Sequence, residues 1–276
     1  MQTRPKIVGI VNITRDSFSD GGRFLKPSAA VGHARQLAAD GADYLELGPA
    51  SSNPEAALVS ADEQIERLGP VLRELSAGKI PISVDATNPA VLEFAIESKV
   101  AMLNDIRGFP DPSLHARLAD CDASLVVVHS LLELERAARN RATPTDVLAS
   151  IDRFFDKRLK ELVRAGVAEE RLIVDPGMGF FLGSNPKASI AVLQRIPELK
   201  ARFGRPVFIS VSRKSFLRAI TGRAIDEIGA ATLAAELHAA REGAAFLRTH
   251  DVSALGDALK VAGSLNSKTA STSDKR

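Results

Sequence analysis

Polar side chains of a few versatile types recur where short apolar runs of this chain end. Asn12 follows "IVGIV", Ser51 and Ser52 follow "YLELGPA", and Asp85 closes "ISVD". Asn104 and Asp105 close "AMLND", His129 closes "SLVVVH", and Asp175 closes "RLIVD". Two carboxylates with an Asn could hold a flat heterocycle that carries several ring N–H groups. Ionised carboxylates only accept hydrogen bonds, whereas an Asn amide both donates and accepts. Ser212, Arg213, Lys214 and Ser215 bring hydroxyls and two cations to "SVSRKS". Cations at a helix start oppose the helix dipole, so a function that outweighs this cost is expected there. Arg248 and His250 flank Thr249. On a strand they point to one side and suit a phosphate or diphosphate. Structural alternatives remain at this level: a strand-terminal Asp can cap a helix, and a His can be tied to its neighbours.

These residues need a scaffold that gathers them. Eight apolar, β-rich runs begin at Lys6, Asp43, Ile80, Ala101, Ser124, Arg171, Pro206 and Ala245. Between them, helical spacing covers 30–39, 61–75, 88–98, 151–165, 189–202 and 228–241. Ser60 to Glu63 reads as a capping box, and another helix starts within "SRKSFL" with its N–H groups toward the same mouth. Alternating strands and helices predict an α/β fold, a single-domain (β/α)8 TIM barrel over residues 1–263. The rival is an open doubly wound sheet, but no G-x-G-x-x-G follows a strand. In a barrel the C-terminal strand ends converge on one face, which makes neighbours of residues far apart in sequence.

Composition narrows the function class. The 276 residues are 45% hydrophobic and 25% charged, as in ordinary globular domains. Net charge is +2 with the signs interspersed and no basic stripe, which argues against nucleic acid as a partner. No apolar run is long enough for a membrane span. Cys121 is the sole cysteine, so an intramolecular disulfide and a cysteine-based metal cluster are both excluded, and a cytoplasmic setting fits. Residues 264–276 are polar and aperiodic, and they read as a disordered tail.

Taken together, "NITRDSFSDGG", "SVDATNP", "LNDIRG", "DPGMGF", "SVSRKS" and "RTHD" resemble the dihydropteroate synthase family, block by block and in order. The likeness runs from about Ile7 to Leu259. It implies condensation of 6-hydroxymethyl-7,8-dihydropterin diphosphate with 4-aminobenzoate, with release of diphosphate. The resemblance implies that Asp85, Asn104, Asp175 and Lys214 hold the pterin. Asn12, Arg248 and His250 would hold the diphosphate, Asn12 would ligate Mg²⁺, and Asp85, Lys214, Arg248 and His250 would be catalytic. Phe18, Ser51, Ser52, Phe180, Ser212, Arg213 and Ser215 would meet 4-aminobenzoate. A homodimer is implied as well. The alternative on the same barrel is a methyltransferase-type pterin binder without synthase activity.

Three departures from the family sit together. The second loop reads "ASSNP", where Glu-Ser-Thr-Arg-Pro is usual. After the fourth strand stands "NDIRGFPD", and after the sixth "GFFLG" places Leu182 where a Lys is usual. These patterns resemble the acquired, sulfonamide-resistant branch. Added bulk at Phe109, Phe180 or Phe181 could meet a drug that protrudes where the substrate does not. Arg15 replaces a usual Pro in the first loop, and Phe18 with Gly21 and Gly22 reads as part of a lid over the site.

Overall fold

The structure, a computed structural model, describes residues 4–14, 26–51, 57–132 and 142–266. Among them are eight strands: β1 (Lys6–Asn12), β2 (Tyr44–Gly48), β3 (Ile82–Asp85), β4 (Met102–Asp105), β5 (Ser124–Val128), β6 (Leu172–Asp175), β7 (Phe208–Ile209) and β8 (Phe246–Thr249). All pair in parallel, in the order β6-β5-β4-β3-β2-β1-β8-β7. The two ends of the sheet meet at Val174, which bridges Val207 and donates its N–H to the Pro206 carbonyl at 3.0 Å. The predicted (β/α)8 barrel is therefore the observed fold, and each apolar run contributes one strand.

The helices among the described residues are α1 (Pro27–Ala39), α2 (Ala61–Leu75), α3 (Pro89–Glu97), α4 (His115–Asp120) and α5 (Pro144–Arg164). They continue with α6 (Pro186–Gln194), α7 (Ile196–Phe203), α8 (Ser215–Thr221), α9 (Gly229–Arg241) and α10 (Val252–Asn266). Their boundaries follow local chemistry. Ser60 caps α2 by accepting the Glu63 N–H at 3.2 Å. α5 starts seven residues before the apolar spacing does, because Thr143 and Asp146 form a reciprocal capping box around Pro144. The span 189–202 is two helices. Arg195 leaves the helical geometry between them, and Pro197, lacking an N–H, sits in the first turn of α7. The last helix runs to Asn266, three residues past the boundary drawn from sequence; residues 267–276 lie outside those described.

Side-chain alternation divides the barrel into two apolar regions. Residues such as Ile7, Val11, Leu45, Leu47, Val84 and Leu103 face outward and form the large core beneath the helices. Val8, Met102, Val126, Val128, Ile173 and Phe208 form a smaller cluster, with Tyr44, Phe181 and Phe246 packed against it. In the same phase, two or four residues further along, come Asn12, Glu46, Asn104, Asp175, Ser212, Arg248 and His250. The period of two thus fills the lower barrel with apolar groups and aims the polar strand ends into its mouth.

Behind β8, Glu236 of α9 is 2% exposed, and its Oε1 has no hydrogen-bond partner. Burial raises its pKa from 4.5 to about 8, although a hydrogen bond to Thr249 opposes the shift. Between those values the folded protein keeps a proton that the unfolded chain has lost, so stability should fall as pH rises through that window. Glu236→Gln should be more stable than the parent at pH 9 and close to it at pH 5, as read from thermal unfolding. The same pH dependence in both proteins would count against this assignment.

Candidate active site

A cavity opens at the C-terminal face of the barrel. Its wall includes Asn12, Thr14, Ser51, Asp85, Asn104, Asp175, Phe180, Phe181, Ser212, Arg213, Lys214, Ser215, Arg248 and His250. Twelve of the fourteen residues given a site role from the sequence are thereby neighbours, with Phe181 beside them; Phe18 and Ser52 lie outside the described residues.

Arg248 organises the polar side of this cavity. Its Nε donates to Glu46 Oε1, and a terminal nitrogen lies 3.2 Å from Asp85 Oδ2. Burial, then the Glu46 charge, raise the Asp85 pKa to about 7, and Arg248 only partly offsets them. One guanidinium is shared between two carboxylates, so neither is fully compensated. The carboxylates in turn outweigh burial on Arg248 and hold it above its ordinary range. Asp85 is not the cap of α3; Asn88 is, accepting the Ala90 N–H at 3.0 Å. That leaves Asp85 to the cavity.

Asp175 is buried at the end of β6, and one of its oxygens accepts the Gly177 N–H at 2.8 Å. Burial raises its pKa to about 6, with that N–H opposing. The turn after it depends on glycine twice. Gly177 has φ +75°, and a Cβ there would come within 2.3 Å of the His129 carbonyl oxygen. Gly179 has φ +64° and lies against Lys214 and Ser215. The tight turn Gly179–Leu182 then carries Phe180 and Phe181 to the cavity, while Leu182 turns into the core.

Lys214 is the residue before α8, with extended backbone, and its ammonium lies 4.3 Å from the centre of the Phe181 ring. Burial, then the Arg248 charge, lower its pKa to about 8 against the pull of Asp175 and Asp85. Arg213 beside it has φ +58°, a left-handed conformation that costs a non-glycine residue about 1 kcal/mol or more. His250 Nδ1 is 2.9 Å from Ser212 Oγ, which also accepts the His250 N–H at 3.2 Å. Burial, then the charges of Arg213, Arg248 and Lys214, hold this imidazole well below its usual pKa, so it is neutral here. The arrangement offers acceptors and a buried cation for a heterocycle, and a second cation with a neutral His for an anion.

Comparison with known proteins gives the family. A model described as pterin binding enzyme matches residues 8–250. The chain belongs to that family. It is 54% identical to the dihydropteroate synthase type-2 of Escherichia coli, over 94% of this chain and 95% of the relative. Identity to the type-3 protein of Escherichia coli is 51%, over 94% and 99%. The solved dihydropteroate synthase of Xanthomonas albilineans with 4-aminobenzoic acid superposes with a TM-score of 0.86 at 35% identity, covering 96% of this chain and 94% of that one. The enzyme is thus a transferase of the dihydropteroate synthase type. No helix among the described residues is long and apolar enough to cross a membrane.

Two polar residues counted among the strand ends face away from the pterin-enzyme cavity. Asp105 accepts the N–H groups of Arg107 and Phe109, at 2.9 and 2.8 Å, and so folds its own loop. His129 lies between the Pro176 carbonyl and Ser150 Oγ, and burial lowers its pKa to about 4. Phe109, read as possible bulk at the site, is 1% exposed in the core and absent from the cavity wall.

Sequence reading missed Glu46 and Arg67. A charged residue in the middle of an apolar strand, in phase with the mouth, was the signal for Glu46. Arg67 on α2 carried no such signal. Its guanidinium donates to the Pro49 carbonyl at 2.7 Å and the Ile13 carbonyl at 3.5 Å, and pairs with Glu63 at 2.6 Å. It therefore ties together the roots of the loops after β1 and β2. Arg67→Ala should lower stability by about 1–3 kcal/mol, because buried carbonyls lose their donor. Urea unfolding measures this, and an unchanged midpoint would remove Arg67 from the support of these loops.

Proposed function

We propose that this enzyme joins 6-hydroxymethyl-7,8-dihydropterin diphosphate to 4-aminobenzoate and that it is insensitive to sulfonamides. The observation that carries the first part is one cavity with a heterocycle-reading end beside an anion-reading end. Asp85, Asn104, Asp175 and Lys214 would hold the pterin, and Arg248, His250 and Asn12 the diphosphate. The C–O bond to the diphosphate breaks with its electron pair leaving on oxygen, and the amine nitrogen forms the new C–N bond and loses a proton. Arg248 and the neutral His250 can donate to the departing oxygens, while Asp85 faces the positive charge that grows on the pterin methylene. A covalent nucleophile is not needed for this route.

The family implies Mg²⁺. Among the described residues no group of three or more His, Cys, Asp and Glu side chains could cage a metal. The donor chemistry suits an ion held by the Asn12 oxygen together with diphosphate oxygens and waters. The Asn12 oxygen borders Gly48, where a Cβ would sit in ordinary contact with it at 3.5 Å. When bound, Mg²⁺ would offset charge on the leaving group.

The rim of Ser51, Phe180, Ser212, Arg213 and Ser215 would receive 4-aminobenzoate. Phe180 is half exposed there and Phe181 lies over Lys214, so the two rings supply bulk where a larger sulfonamide would extend. The loss of the usual Glu and Arg from the second loop supports the same reading.

Diphosphate release by the purified enzyme should require 4-aminobenzoate. Asp85→Ala and Lys214→Ala should each lose on the order of 100-fold in kcat/KM. Release without the amine, or full activity in both variants, would overturn the assignment. The sulfamethoxazole Ki should exceed that of a susceptible synthase measured alongside; equal values would remove the insensitivity and leave the reaction standing. Asp85 must be ionised and Lys214 protonated, so kcat/KM should rise with pH through about 7 and fall through about 8. A flat profile from pH 6 to 9 would contradict these roles.

A further inference from the structure

Glu46 lies one layer below the cavity, with 0% exposure. Oε1 accepts from Arg248 Nε, while Oε2 accepts from Asn104 Nδ2 at 2.9 Å and from Ser83 Oγ at 3.1 Å. The other end of the Asn104 amide, Oδ1, is buried with no hydrogen-bond partner, on a residue that lines the cavity. We infer that Glu46 is a positioning residue that fixes which way round the Asn104 amide stands, so that the cavity receives an acceptor and selects heterocycles offering an N–H at that point. This rests on the pterin reading of the cavity.

The argument is one of hydrogen-bond polarity. An Asn side chain has two nearly isosteric ends, and what sets its orientation is the network around it. An ionised carboxylate can only accept, so the nitrogen must face Glu46 and the carbonyl oxygen must face away. Turning the amide over would set oxygen against carboxylate and leave an NH₂ facing a ring N–H, two donors without an acceptor. A buried acceptor left unmatched is costly, which makes the empty Oδ1 a demand on the ligand. The same carboxylate holds Arg248, so the heterocycle and diphosphate ends share one anchor. Register explains how: Glu46 pairs with Ser83, and Asn104 pairs with Asp85, across adjacent strands.

The polarity can be reversed without changing the net charge. Glu46→Gln frees the amide to stand either way. Asn104→Asp sets two carboxylates against each other. When the two substitutions are combined, the introduced glutamine can donate to one oxygen of the introduced aspartate, while the other oxygen faces the cavity as an acceptor. Each single variant should weaken calorimetric binding of pterin-6-carboxylate, a ligand without diphosphate, by about 10- to 100-fold. Each should also raise the KM for the pterin substrate far more than the KM for 4-aminobenzoate. The double variant should bind at least tenfold tighter than the two single losses multiplied together predict. Multiplied losses in the double variant, or parental affinity in Glu46→Gln, would overturn the inference. Asn104→Ala separates it from the reading it rests on: parental pterin binding there would refute the pterin site itself. If Glu46→Gln fails to fold, the double variant is compared with Asn104→Asp alone. Recovered binding supports the polarity, and none refutes it.

Discussion

A buried guanidinium shared by two carboxylates is the interaction on which this cavity depends. Arg248 reaches from β8 across the barrel to Glu46 on β2 and Asp85 on β3. Removing one partner of such a buried pair typically costs about 3–5 kcal/mol, because the remaining charge stays out of water uncompensated. The cluster therefore holds its members tightly, and its geometry passes outward to Asn104 through the same Glu46 carboxylate. It also sets the protonation balance, since Glu46 raises Asp85 while Arg248 lowers Lys214. One guanidinium against two carboxylates leaves the cluster partly unmatched, which is the state in which it can respond to a ligand.

The apolar half of the barrel makes that cluster possible. Val8, Met102, Val126, Ile173 and Phe208 close the interior from below, so the charged layer meets solvent only from the mouth. Access from one side lowers the local dielectric and strengthens each interaction with a bound substrate. On the rim, the turn after β6 combines two positive-φ glycines with two phenylalanines. The glycines let the backbone press against β5 and α8, and that close approach delivers Phe181 to Lys214. An aromatic face against a desolvated ammonium gives back part of what the cation loses on leaving water.

Particular residues show what could be read in advance. The eight strands were legible because β-branched runs between amphipathic helices have few other solutions, and eight such strands with no G-x-G-x-x-G favour a closed barrel over an open sheet. Asn12, Asp85, Asn104, Asp175, Lys214, Arg248 and His250 were legible as a group because each stands at a strand's C-terminal end or just beyond it. Asp105 and His129 have the same kind of address and a different fate. Their side chains are captured by nearby loop and helix groups, and a one-residue change of phase sends a strand residue out of the barrel instead of into it.

The amino-acid sequence by itself determined the fold class, the face of the barrel on which the cavity opens, and the family, because periodicity and motif order are local properties of the chain. Tertiary structure alone decided the pairings: Glu46 with Arg248 and Asn104, Arg67 with two loop roots, and Phe181 with Lys214. Those contacts join elements up to 202 positions apart, and their strength comes from a shared, water-poor interior that exists only after the sheet has closed.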